Sequence, residues 1–221
     1  MGLNIGNKAL KDAYIGDKPI KKIYLGDKLL WQKYDAEIEY LQSTGTQWID
    51  TGILSKNTIG WKIEFMTNLN ATSGKNHQYI GATYFIDGVR INTYLVDYNN
   101  NLKVGWGTGE KNFSTNAFTK RCIKINYFND RKTYIDDIFK HNLEDIDDSN
   151  LKLGLFCGNS KGLGKAIPQG NIYSCQITDG ETLVRDYIPV RKDGVGYMYD
   201  KVSGQLFGNS GTGNFILGND I

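Results

Sequence analysis

A ten-residue repeat at the N-terminus sets the tightest limit on what this 221-residue chain can fold into. It reads Asn4-Ile5-Gly6-Asn7-Lys8, then Tyr14-Ile15-Gly16-Asp17-Lys18, then Tyr24-Leu25-Gly26-Asp27-Lys28, with apolar residues also recurring at Leu10, Ile20 and Leu30. A Gly-Asn or Gly-Asp pair between strand formers suits a two-residue hairpin turn, because glycine supplies the positive φ such a turn needs and Asn or Asp tolerates it. The eight residues between turns are one strand long. The spacing therefore predicts a short β-meander over residues 3–33, with strands near 8–15, 18–25 and 28–33.

Residues 1–33 hold seven lysines and three aspartates, a net charge of +4, and since the whole chain carries +2 the remaining 188 residues carry −2. Chains shorter than about 40 residues rarely bury enough apolar surface to stand alone without a disulfide, a metal or a partner. No cysteine precedes Cys122. The ribbon is therefore expected to lean on another surface, either a second subunit or the rest of its own chain. Ile5, Tyr14, Ile15, Ile20, Tyr24, Leu25, Leu30 and Trp31 are the candidate assembly contacts.

From Ala36 onward strand follows strand. Trp61, Ile63 and Phe65 alternate with Lys62 and Glu64, and Ile123, Ile125 and Tyr127 alternate with Lys124 and Asn126, which puts one face inward and one outward. Turn signals fall at Asp87-Gly88, Asn129-Asp130, Asp136-Asp137, Asp179-Gly180 and Asp193-Gly194. His141–Asn150 has room for one helical turn, but Asp147, Asp148, Ser149 and Asn150 favour a loop. Many short strands with regular turns predict an all-β chain: a β-ribbon over 1–35 and a two-sheet sandwich or jelly roll over 36–221.

Composition narrows the partners. A net charge of +2 makes no large positive field for nucleic acid, and no apolar run approaches the roughly 18 residues a membrane helix needs. The opening residues lack the basic and apolar segments of a secretory signal, so synthesis in a cytoplasm is expected. Cys122, Cys157 and Cys175 are far apart and odd in number, which favours free thiols. His77 and His141 have no neighbouring His or Cys at zinc-ligand spacing.

Enzymatic signals are weak. Glycoside hydrolysis uses two carboxylates about 5 to 9.5 Å apart. The candidates Asp136, Asp137 and Glu64 fall in a hairpin turn and on the polar side of a strand. Gly158-Asn159-Ser160-Lys161-Gly162 has the spacing of a nucleophile elbow, but Pro168 and the glycines after it do not make the helix that such an elbow requires. Glu144-Asp145-Ile146-Asp147-Asp148 clusters hard oxygen ligands as calcium would want, although Asn150 and Phe156 stand where an EF-hand places Gly and Glu. Solvated charge is the reading those departures favour. Trp106 among glycines, with Asp97, Tyr98, Asn99, Asn100 and Asn101 nearby, has the composition of a sugar site, an aromatic face beside hydrogen-bonding groups. Core tryptophan and hairpin-loop asparagines are the alternative there, and Trp48 and Trp61 read as core.

Two stretches carry a family resemblance. The opening Glu39-Tyr40-Leu41-Gln42-Ser43-Thr44-Gly45-Thr46-Gln47-Trp48-Ile49-Asp50-Thr51-Gly52 is one. The close is the other, with Arg185-Asp186-Tyr187-Ile188-Pro189-Val190-Arg191-Lys192, Gly196-Tyr197-Met198-Tyr199-Asp200 and Asn209-Ser210-Gly211-Thr212-Gly213-Asn214-Phe215. Both resemble the ends of laminin-G-like, concanavalin A-like jelly-roll domains, which recur in bacteriophage and prophage virion proteins. Ile23-Tyr24-Leu25-Gly26-Asp27-Lys28-Leu29-Leu30-Trp31 is similar to segments of phage tail-associated proteins. The resemblance spans about 37–218, and residues 66–120 hold no motif to carry over. It implies an antiparallel two-sheet jelly roll used for carbohydrate or protein recognition, at times with calcium. It further implies a non-enzymatic, multicopy tail or baseplate protein, made in a bacterial cytoplasm, joined to other virion proteins through residues 1–33 and facing a host-surface glycan. A capsid decoration or head-fibre protein is the alternative position. A surface sugar-binding module or glycan hydrolase is the alternative class.

Overall fold

The computed structural model describes residues 4–5, 8–10, 12–68, 77–86, 89–98, 101–114, 118–146, 148–160, 163–165 and 167–221. The chain is all-β, and its one helical element among these residues is a 3-10 turn at Tyr127–Asn129. In the larger sheet the strands Ile138–Asn142, Lys132–Ile135, Arg121–Ile125, Ile59–Thr67, Gln169–Asp179, Thr182–Lys192, Val195–Asp200 and Leu206–Phe207 lie side by side. The second sheet runs Gly109–Ser114, Asn101–Gly107, Val89–Tyr98, His77–Ile86, Lys152–Leu155 and Ile49–Leu54. Pairing in both is antiparallel, except where Gly158–Ser160 runs parallel to His77–Ile86 at Asn159 and Ala82.

One core joins the two sheets in a sandwich-like arrangement. Trp61, Ile63, Phe65, Ile123, Ile125 and Ile177 come from the larger sheet, and Ile49, Ile80, Leu95, Val104, Leu153 and Leu155 from the second. The alternation read from Trp61 to Phe65 is present: those three are fully buried, while Lys62 and Glu64 keep access to solvent. Removing a core aromatic such as Trp61 forfeits its transfer energy and leaves a cavity, at a cost of roughly 3–5 kcal/mol.

The body closes on its own ends. Leu41–Thr44 pairs with Gln169–Ile172 on one side and with Ile216–Leu217 on the other, and Ile38 bridges Asp220. Asn209 accepts the Trp48 amide through its side-chain oxygen at 3.1 Å, and the Thr212 amide donates to the Thr46 carbonyl. The opening and closing motifs are thus one structural unit, although more than 150 residues separate Trp48 from Asn209.

The N-terminal segment departs from the expected meander. It forms three separate two-stranded hairpins: Asn4–Ile5 with Lys8–Ala9, Tyr14–Ile15 with Lys18–Pro19, and Lys22–Leu25 with Lys28–Gln32. Pro19 explains why the expected strand over 18–25 breaks. A central meander strand donates N–H groups to neighbours on both edges, and proline has none to give. The turns themselves fall where the repeat places them, with Gly16 and Gly26 at φ +58° and +57°.

Elsewhere, Asp136 and Asp137 (φ +50° and +64°) turn between Ile135 and Ile138, and Asp193 and Gly194 turn between Lys192 and Val195. Asp87-Gly88 lies outside the described residues, between the paired Ile86 and Val89. Tyr127 is not on the strand that Ile123 and Ile125 begin. Asn126 turns left-handed there (φ +45°), and its side-chain amide donates to the Asn57 and Ile59 carbonyls while its oxygen accepts from the Arg131 amide. The stretch from Leu143 to Ile146 is a loop.

Candidate assembly interface

The eight residues expected to make assembly contacts divide into three groups. Ile15 and Leu25 are 75% and 70% exposed, and Tyr14 and Tyr24 are 46% and 52% exposed. Ile20 and Leu30 are half-buried. Trp31 is buried, and its indole N–H donates to the Leu10 carbonyl at 2.7 Å, so it serves the inside of the segment and not its outer face. Ile5 lies on the first hairpin's strand, and its side chain lies outside the described residues. A β-carbon added at Gly16 or Gly26 would meet nothing within 4 Å, so both turns project into open space.

The bases of the second and third hairpins are clipped to the body. The Tyr14 hydroxyl donates to the Ser203 carbonyl at 3.1 Å, and Pro19 packs so closely on Gly204 that a β-carbon there would sit 2.5 Å from the proline ring. Lys21 pairs with Glu37 at 2.9 Å and Tyr34 donates to the same carboxylate at 2.6 Å, while Lys33 pairs with Asp12 inside the segment itself. The Tyr34 ring meets Tyr199 at 5.0 Å. The Tyr34 hydrogen bond, with Lys21 beside it, holds the Glu37 carboxyl below its ordinary range, and burial followed by the hydrogen bond to Glu37 pushes the Tyr34 phenol up. Of the two expected supports, the chain's own body is the one seen: the bases of the second and third hairpins lean on it.

The receiving surface depends on Asp200, which the sequence reading missed. Its fully buried carboxylate accepts from the amides of Asp186, Val202 and Ser203 and from the Ser203 hydroxyl at 2.6 Å, with Arg185 at 3.7 Å. This fixes the 201–204 turn that Tyr14 and Pro19 touch. An Asp two or three residues before a Ser-Gly pair is a local signal for such a turn, and Asp200-Lys201-Val202-Ser203-Gly204 carries it.

The residues of the expected sugar platform are placed in part. Trp106 is only 7% exposed, belongs to the core and donates its indole N–H to the Glu144 carbonyl at 2.8 Å. The neighbouring glycine is a packing device: a β-carbon at Gly105 would lie 2.7 Å from the Tyr94 ring, so the two strands close flat on the aromatic. Asp97 and Tyr98 end the strand Val89–Tyr98 with side chains outside the described residues, and Asn100 lies outside them altogether. A cavity of about 150 Å³ adjoins Trp106, lined also by Glu110, Lys111, His141 and Leu143. Burial, helped by the nearby Lys111 charge, lowers the His141 pKa.

The other chemical candidates are occupied structurally. Asp136 pairs with Arg121 at 2.7 Å and accepts the Cys122 amide, Asp137 pairs with Lys124, and Glu64 pairs with Lys120 at 2.8 Å. The Lys124 ammonium keeps the Asp137 carboxyl below its usual range, which is the wrong direction for a general acid. Gly158–Ser160 pairs with the strand Leu163–Lys165, where an elbow would need a helix. Asp145 pairs with Arg131, Asp148 accepts the Asn57 amide, and Asp147 lies outside the described residues. No group of three metal-type side chains gathers among the described residues. The three cysteines are free thiols, and burial pushes up the pKa of Cys157 and Cys175.

Among known proteins, no family model matches this chain, and no curated protein is close enough in sequence to count as a relative.

Proposed function

We propose that the chain is a non-enzymatic structural protein of a bacteriophage virion, a tail or baseplate component whose N-terminal hairpins fasten it to other virion subunits. The observation that supports this reading is the division within the hairpins. The base of the second hairpin holds to the Ser203–Gly204 turn and that of the third is joined to Glu37 through Lys21, while Ile15 and Leu25 stand exposed beside turn glycines with open space next to them. An aliphatic side chain of that size gains roughly 1.5–3 kcal/mol when it is fully buried, a gain that folding of this chain alone does not collect. The body is read as a concanavalin A-like jelly roll facing outward, with a host-surface glycan as its ligand, and many copies convert weak recognition into avidity. The paired end motifs that suggested this domain type lie together in the fold.

Deleting residues 1–33 in a phage that carries this gene tests the fastening role. The truncated protein is expected to keep its β circular dichroism and cooperative melting, yet to be missing from purified particles. Incorporation at the wild-type level contradicts the reading.

A further inference from the structure

The three hairpins share a cross-strand pair. In each, the aliphatic residue before the turn is the cross-strand partner of the lysine after it: Ile5 with Lys8, Ile15 with Lys18, and Leu25 with Lys28. Directly paired residues project from the same face of a hairpin with β-carbons about 4.5–5.5 Å apart. In the second and third hairpins all four side chains are exposed. In these two hairpins the repeated unit is therefore an exposed apolar knob paired with an exposed lysine, next to a turn glycine with open space beside it.

We infer that Ile15 with Lys18, and Leu25 with Lys28, are two equivalent plugs for a different protein whose surface repeats an apolar socket with a carboxylate at its rim. The inference rests on the fastening role and adds the chemistry of the partner. Charge selects that partner over a second copy of this chain. The hairpin segment carries +4 even with Asp17 and Asp27 in its turns, so two such segments facing each other repel. The carboxylates of the adjoining body are largely engaged: Glu37 with Lys21, Asp186 with Lys201, and Asp220 with Arg191. A partner that repeats the socket also explains why the pair recurs at a fixed ten-residue interval, since linked weak contacts bind far more tightly than one.

The test uses full-length protein supplied in trans to a phage lacking its own copy, with particle content measured by quantitative mass spectrometry and folding checked by thermal melting. Ile15→Ser or Leu25→Ser alone is expected to lower incorporation about tenfold, and the double variant about a hundredfold, with melting unchanged. Lys18→Glu with Lys28→Glu is expected to lower it comparably, and carboxylate-to-lysine changes in the partner to restore it. Wild-type incorporation of either double variant overturns the inference, as does loss of concentration-dependent self-association in the Ile15→Ser/Leu25→Ser protein, which would name a second copy as the occupant. If the point variants incorporate normally while deletion of 1–33 does not, the plugs are refuted and the fastening role stands.

Discussion

At the residue scale, one side chain carries the largest revision. Trp106 lies in a stretch whose composition resembles an exposed loop, yet it is core, because its setting depends on strands that the local sequence does not identify. Trp106→Ala is accordingly expected to cost roughly 3–5 kcal/mol in chemical denaturation, where an exposed platform residue would cost almost nothing. The burial of Asp200 was illegible for a related reason: the local residues signal a turn, but nothing in them says that the carboxylate will be fully buried. Asp200→Ala leaves three amides and a hydroxyl without their acceptor, so a loss of stability and loosening of the 201–204 turn are expected, read by hydrogen exchange at Val202 and Ser203. Glu37 supplies a pH dependence with a definite sign. Its folded pKa lies below the ordinary 4.5, so its hold on Tyr34 and Lys21 is complete above that value and is lost as pH falls through the lowered one. Amide protection at Lys33, whose N–H donates to the Lys21 carbonyl, should fall in that acid window, and Glu37→Gln should flatten the change.

At the element scale, turn chemistry was the most legible part of the chain. Gly16, Gly26, Asp136, Asp137, Asp193 and Gly194 all take the left-handed conformation that their residue types allow, because a two-residue turn is decided by the residues in it. Strand alternation was legible at Trp61–Phe65 for the same reason. How strands join was not: Pro19 was visible, yet its effect appears only when one asks which neighbour its missing N–H would have served. The glycines make a contrasting pair. Gly16→Ala forces a β-carbon into the left-handed region, at about 1–2 kcal/mol, with space around it, so the effect should stay within the second hairpin. Gly105→Ala drives a β-carbon into the Tyr94 ring and should lower the melting temperature of the whole body.

At the scale of the whole molecule, a sandwich-like body secures its own ends and presents hairpins whose bases it holds and whose tips it leaves alone. Among the described residues the core cluster takes no side chain from the hairpin segment, and Trp31 donates within that segment to Leu10, so body stability and fastening should separate experimentally. Amine-reactive footprinting of Lys18 and Lys28, in free protein and in intact particles, tests that separation most directly. Both lysines should label readily in the free protein and be strongly protected in the particle, while exposed body lysines such as Lys140 label alike in both. Equal labelling of Lys18 and Lys28 in the two states would contradict a fastening role for the hairpins.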